Sequence, residues 1–217
     1  MALPQHPNLS GLGIPNDKFK EMMLVFSIGL EEVKTKIMNL EKEFEIQYGY
    51  NPIEKVQSRL KEYDSIIRKA KRKEFPLTIA SFRENIRDIA GIRITCSFLS
   101  DLYRIVDMLK NHLELEIVEN KDYIKNPKPN GYKSLHLILK LRVSVHQRIE
   151  SVYVEVQLRT VTMDIWANLE QTIYYEYSSS NSIPKSLRED LRLAAMAAEQ
   201  LDSKMEFIRQ QMDKLKP

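Results

Sequence analysis

The chain has 217 residues, 43% of them hydrophobic and 29% charged, with a formal net charge of +3. That is long and apolar enough for one ordinary domain with a core, which excludes an intrinsically disordered chain, and the near-balanced charge demands no bulk polyanion as partner. A single cysteine, Cys96, excludes an intramolecular disulfide and fits a reducing, cytoplasmic setting.

Residues 1–16, MALPQHPNLSGLGIPN, have neither the basic stretch nor the apolar run of a signal peptide, and are expected to form a disordered lead-in. No apolar run approaches membrane-spanning length. From residue 17 to 48, Met23, Phe26, Leu30, Val33, Ile37 and Leu40 recur at helical spacing. Asn51-Pro52 reads as the N-cap and first turn of a second helix that runs to Lys73. A short helix is expected over residues 81–87. Four strands follow, over residues 89–98, 115–124, 132–141 and 151–159, with a helix over 99–111 between the first two. The pattern turns helical again from 159 to 177, is broken by SSSNSIP, and resumes at Pro184 in a last helix reaching nearly to the terminus. This is an α+β domain on one mixed sheet, with helices before and after it.

Side chains alternate faces along a strand. Ile92, Ile94 and Cys96 share one face, as do Leu135, Leu137 and Leu139, and Val154, Val156 and Leu158. Cys96 is thus expected to be a buried small hydrophobe, not a nucleophile. The opposite faces carry Arg93, Thr95 and Ser97; Tyr132, Ser134 and His136; and Glu155, Gln157 and Arg159. Such a face either meets water, as in many antiparallel sheets, or holds a ligand.

The stretch 55–73 carries eight Lys or Arg against Glu62 and Asp64, a net +6. On a helix, Lys61, Ser65, Arg68, Lys69 and Arg72 fall on one stripe, and Val56, Leu60, Tyr63, Ile67 and Ala70 on the other. A row of cations suits a phosphate chain, a nucleic-acid backbone or plain solvent. Arg59 lies off the stripe. Glu155, in mid-strand, is the best candidate to hold a divalent cation, or else to pair with Arg93. Asp88 falls on the apolar side unless Gly91 marks a bulge. Around the turn-rich NPKPNGYKSLHLILK segment, Lys121, Lys125, Lys128 and Lys133 are opposed only by Asp122, and Tyr132 either stacks on a base or caps the core edge. His6, His112, His136 and His146 show no zinc-ligand spacing, and no P-loop is present.

RDIAGIRITCSF, KDYI…PKPNGYKSLH, VEVQLRT and MDIWANLEQTIYYEY, in that order, resemble the synthetase domain of the RelA/SpoT homologues over about residues 51–177. The short chain, with no His-Asp dipeptide, resembles the single-domain small alarmone synthetases, of the RelP type more than the RelQ type. The resemblance implies a nucleotidyltransferase-like fold with a sheet of about five strands. It implies a synthetase domain over 51–178, between oligomerisation helices over 17–50 and 184–217 that build a homotetramer. It further implies Mg²⁺-dependent transfer of pyrophosphate from ATP to the 3′-hydroxyl of GDP or GTP, giving (p)ppGpp and AMP, with no hydrolase activity. The alternative is a non-catalytic nucleotide- or RNA-binding module of the same fold. By motif position, Asp88 and Glu155 are the catalytic, metal-binding acids. Arg59 and Arg93 sandwich adenine, and Lys61, Ser65, Lys69 and Arg72 take the ATP phosphates. Tyr132 stacks on guanine, with Lys128, His136 and Gln157 as further acceptor contacts. At the positions that bind product in RelQ-type relatives stand Met38, Glu41, Lys55 and Asp164, so product activation of that type is not expected.

Overall fold

The structure is a computed structural model that describes residues 14–177 and 183–215. In chain order the elements are α1 (Asn16–Tyr48), β1 (Ile53–Leu60), α2 (Tyr63–Arg72), α3 (Ile79–Asn85), β2 (Ala90–Cys96), α4 (Leu99–Lys110), β3 (Glu116–Asp122), β4 (Leu135–Val145), β5 (Arg148–Thr160), α5 (Val161–Tyr177) and α6 (Lys185–Leu215). The strands form one sheet in the order β1-β2-β5-β4-β3. Only β2 and β5 run parallel; the other neighbours are antiparallel. The expected α+β fold on a mixed sheet is therefore the one observed.

The apolar stripe of α1 supplies much of the core, with Met22, Met23, Phe26, Leu30, Val33, Ile37 and Phe44 all buried. Gly29 permits the close approach of this helix to β5: a Cβ there would stand 2.4 Å from Val152 Cγ1. The sheet's apolar face answers with Ile92, Ile94, Cys96, Leu137, Leu139, Val154 and Val156, each nearly inaccessible. α2, α3 and α4 join that core through Ile66, Phe82 and Leu102. The Cys96 thiol is buried, which pushes its pKa up, as expected for an inert hydrophobe.

α5 turns back over the polar face and α6 packs beside it. The Trp166 indole donates to the Leu191 carbonyl at 2.9 Å, and the Thr160 hydroxyl donates to buried Asp202 at 2.7 Å. Glu206 of α6 accepts from the Ser100 backbone N–H in the first turn of α4, and the Arg209 guanidinium covers the Tyr50 ring at 3.9 Å. The C-terminal helix is thus part of the monomer's own packing.

Four expectations are corrected. Residues 51–73 are not one helix: the first half is edge strand β1, and α2 begins only at Tyr63. β1 pairs with β2 from Ile53 to Leu60, and Lys61 continues the ladder by donating to the Ile89 carbonyl at 2.7 Å. Asp88 precedes β2 in a turn, so alternation does not govern it. Pairing is regular through Gly91, so no bulge is needed there. β4 begins at Leu135, which leaves Tyr132 in the preceding loop. At the N-terminus, Ile14 is already buried and the helix starts at Asn16, while residues 1–13 of the expected lead-in lie outside the described residues, as do 178–182 of the SSSNSIP break.

Candidate active site

The parallel pairing of β2 and β5 sets Glu155 opposite Gly91, three residues beyond Asp88. Both acids are half-buried and feel each other's charge. Lys61 Nζ lies 3.0 Å and Lys69 Nζ 2.7 Å from the Asp88 carboxylate. Burial works to raise the Asp88 pKa, but the two lysines outweigh it and hold the carboxyl below its usual range. Burial likewise works to raise the Glu155 pKa. The His136 hydrogen bond and charge, with the Gln157 amide, more than offset burial and the like charge of Asp88, so the net direction is down.

The cation column survives the correction of the helix. Lys61 stands at the mouth of α2 and Lys69 two turns on, and both reach Asp88 from that side. Ser65 accepts from Arg68 at 2.9 Å, and Arg72 is exposed in the last turn. Arg59, exposed on β1, pairs across from Gly91. With Arg93, Gly91, Glu155, Gln157 and Gln171 it lines a cleft of about 270 Å³. Gln157, expected on the acceptor side, therefore borders the same cleft as the two arginines.

On the other flank, His136 bridges two groups. Its Nδ1 is 3.3 Å from Glu155, and its Nε2 shares a 2.8 Å hydrogen bond with the Tyr132 hydroxyl. Arg159 donates to the same hydroxyl at 2.8 Å. The Lys128 ammonium sits 4.7 Å from the Tyr132 ring centroid and 4.9 Å from that of Tyr123. Gly131, with φ at 91°, turns the loop so tightly under α6 that a Cβ there would meet Ala195 Cβ at 2.6 Å. Lys133 next to it is ion-paired with Glu199 of α6. Ten of the twelve expected site residues are thus linked by contacts or a shared cleft between α2 and the Tyr132 loop, whereas Ser65 and Arg72 share only α2 with Lys69. Arg93 does not pair with Glu155; it reaches Asp164 at 3.3 Å.

Three participants were not among the expected active-site residues, although Asp164 was noted at a product-binding position of RelQ-type relatives. Tyr123 makes edge contacts with His136 and Tyr132, and nothing local distinguished it from a core-edge aromatic. Arg159 fell on the polar face by alternation, but its 5% exposure, under α5, is a tertiary fact. Asp164 bonds to Arg159 at 3.1 Å, one turn after it in the chain. No group of three or more His, Cys, Asp or Glu suited to a metal occurs among the described residues. Asp88 and Glu155 lie near enough for the charge of Asp88 to act on Glu155. That suits a hard cation completed by substrate oxygens and water, and Asp88 Oδ1 is buried without a well-angled hydrogen bond.

A mixed sheet with two neighbouring acids, lysines paired with one of them and a tyrosine-edged loop beside the other suits phosphate chemistry on nucleotides. Residues 58–180 match the model of the region found in RelA/SpoT proteins, and the chain belongs to that family. It is 45% identical to the GTP pyrophosphokinase YwaC of Bacillus subtilis over 91% of this chain and 93% of that protein. To the GTP pyrophosphokinase YjbM of the same organism it is 36% identical, over 89% and 90%. The crystal structure of small alarmone synthetase 2 from Bacillus subtilis superposes with a TM-score of 0.80 at 44% identity, covering 88% of this chain and 98% of that one. Small alarmone synthetase 1, bound to its product pppGpp, gives 0.81 at 33% identity over 89% and 97%. The fold is therefore that of the small alarmone synthetases.

Proposed function

We infer that this protein is a (p)ppGpp synthetase, transferring pyrophosphate from ATP to the 3′-hydroxyl of GDP or GTP and releasing AMP. The observation that carries it is the neighbourhood of two acids on one side of the sheet, Asp88 held by Lys61 and Lys69 and Glu155 by His136, which is bonded to Tyr132, with the charge of Asp88 acting on Glu155. The relatives named GTP pyrophosphokinase, and the synthetase bound to pppGpp, support the same chemistry. In this reading the 3′-oxygen attacks the β-phosphorus of ATP, the bridge to the α-phosphate breaks, and Glu155 accepts the hydroxyl proton. Arg59 and Arg93 hold adenine in the cleft they share. Lys61, Ser65, Lys69 and Arg72 take the phosphates, while Tyr132, with Lys128, His136 and Gln157, holds the acceptor. Asp88 and Glu155 would hold Mg²⁺, which would supply charge neutralisation at the phosphates.

Assembly as a homotetramer through the terminal helices is part of the proposal. It is supported by exposed Met196, Met205, Phe207, Ile208, Met212 and Leu215 along α6. A cytoplasmic setting fits the single buried cysteine, and no helix among the described residues is long and apolar enough to cross a membrane. The decisive experiment incubates the protein with Mg²⁺, labelled ATP and GDP. AMP and a 3′-pyrophosphorylated guanosine are expected. Binding without AMP release would favour the non-catalytic module, and release of pyrophosphate a nucleotidyl transfer.

A further inference from the structure

We propose that Asp164 and Arg159 are positioning residues that couple the two nucleotide subsites, so that a donor nucleotide engaging Arg93 tightens the acceptor on Tyr132. The inference rests on the subsites assigned above. Asp164 lies in the first turn of α5 and is 9% exposed. Its Oδ1 accepts from Arg93 Nη1 at 3.3 Å and from Arg159 Nη1 at 3.1 Å, and its Oδ2 from the Asn168 amide at 3.1 Å. One carboxylate oxygen therefore serves two guanidiniums. The Nε of each arginine is also buried without a hydrogen-bond partner. Arg93 also donates to the Asn168 side-chain oxygen at 3.1 Å, but Asp164 remains the carboxylate that the two cations share, so any group that engages one of them changes its hold on the other.

The two arginines face different subsites. Arg93 opens on the cleft that it lines with Arg59. Burial, then the charge of Arg159, works against its protonated form, and Arg59 adds to that crowding. Arg159 lies two residues along β5 from Gln157, the residue paired with Arg93. It donates to the Tyr132 hydroxyl at 2.8 Å and to Gln157 at 3.2 Å, and its guanidinium sits 5.2 Å from the Tyr132 ring centroid.

A base stacked on Arg93, with its phosphates nearby, satisfies that cation from the ligand side. Asp164 Oδ1 is then left to Arg159, which holds Tyr132 more firmly for the acceptor base. The effect is reciprocal, because coupling between two binding equilibria must be.

The test is calorimetric titration of GDP with and without saturating α,β-methylene-ATP and Mg²⁺. The wild-type protein is expected to bind GDP about 5- to 10-fold more tightly with the analogue present, within the usual range of such couplings. Asp164→Asn keeps the shape but removes the shared charge, and should bring that ratio to about 1. Arg159→Lys keeps a cation but not the planar fork. It should lower the ratio in the same way, and it reads the coupling even where Asp164→Asn fails to fold. A wild-type ratio of 1 overturns the inference. So does a wild-type ratio retained in the variants with both affinities weakened, which is what a purely structural role gives. Failure of the wild-type protein to bind either nucleotide overturns the subsite assignment, and this inference with it.

Discussion

Gly131→Ala is the sharpest perturbation of the acceptor side. At φ 91° the residue sits where an L side chain is strained, and the new Cβ would stand 2.6 Å from Ala195 Cβ and 3.7 Å from Arg192 Cα. Carbon atoms prefer about 3.5–4.0 Å, so the loop must give by roughly 1 Å. Ala195 cannot retreat, because its Cβ is bonded directly to the α6 backbone. The conformational cost is about 1–2 kcal/mol and overpacking adds about 1–3. Part of that is relieved by displacing the neighbouring Tyr132, whose hydroxyl then loses its 2.8 Å contacts with His136 and Arg159. Since tenfold in affinity is about 1.4 kcal/mol, the KM for GDP should rise at least about tenfold. The KM for ATP should rise less, by no more than the about 5- to 10-fold that the coupling through Arg159 and Asp164 carries, because the Arg59–Arg93 cleft is built from other elements. Tm should drop by several degrees at about 2–4 °C per kcal/mol. Initial rates against each substrate, with a thermal melt, read all three. The double variant Gly131→Ala/Ala195→Gly should recover the steric share. Equal rises in both KM values, or an unchanged GDP KM beside an unchanged Tm, would refute the reasoning.

Glu155→Gln should lower kcat by about 10²–10⁴-fold if Glu155 is the base, measured as AMP release; ordinary turnover would remove it from that role. With the carboxyls of Glu155 and Asp88 held below their ordinary range in the folded protein, both acids stay ionised at neutrality. The acid limb of kcat/KM should therefore fall below about pH 4.5, and a limb near pH 6–7 would contradict it. The same direction makes their contribution to stability complete above the ordinary carboxylate range and lost as pH falls beneath it, which acid titration of Tm checks. Adding pppGpp should not raise the initial rate, because Asp164 offers phosphates an acidic group already bound to Arg93 and Arg159; a clear rise would count against this. Gly29→Ala should destabilise by about 1–3 kcal/mol despite the better helix propensity of alanine, since Val152 Cγ1 lies 2.4 Å from the new Cβ. Pairing it with Val152→Ala should relieve the clash, as denaturant midpoints would show.

The parts of the fold legible in the sequence are those whose period is unambiguous. α1 carries its apolar residues at three- and four-residue steps over 33 residues, and the alternation in β2 and β5 marked out the core face correctly. β1 was misread because Val56, Leu60, Tyr63, Ile67 and Ala70 keep helical spacing across what proves to be a strand, a turn and a helix. The strand exists because β2 offers it a ladder, a long-range fact that no window of 20 residues contains. Two cations of the stripe, Lys61 and Lys69, nevertheless converge on Asp88 although Lys61 is not helical. Asp88 looked misplaced because alternation was carried past the point where the strand ends. Arg159, Asp164 and the clasp of α6 on Gly131 depend on helices crossing the sheet after it has formed. Residue type and spacing mark such positions only as polar, or as glycine.

The charges of the site have a common logic. Asp88 is held by Lys61 and Lys69, Glu155 by His136, and Asp164 by Arg93 and Arg159. A polyphosphate that reaches α2 must therefore compete with Asp88 for its lysines, and it brings like charge against that carboxylate. Lysine, a point charge on a flexible stem, can change partners at little geometric cost, where a bidentate arginine fork could not. The exchange would be favourable if Asp88 held another cation, since Lys61 and Lys69 would then be free for phosphate oxygens. On the proposed function, this geometry would favour ATP arriving as its metal complex. It also explains why the column begins with two lysines while the planar arginines, Arg59 and Arg93, stand at the cleft where a base needs a flat partner.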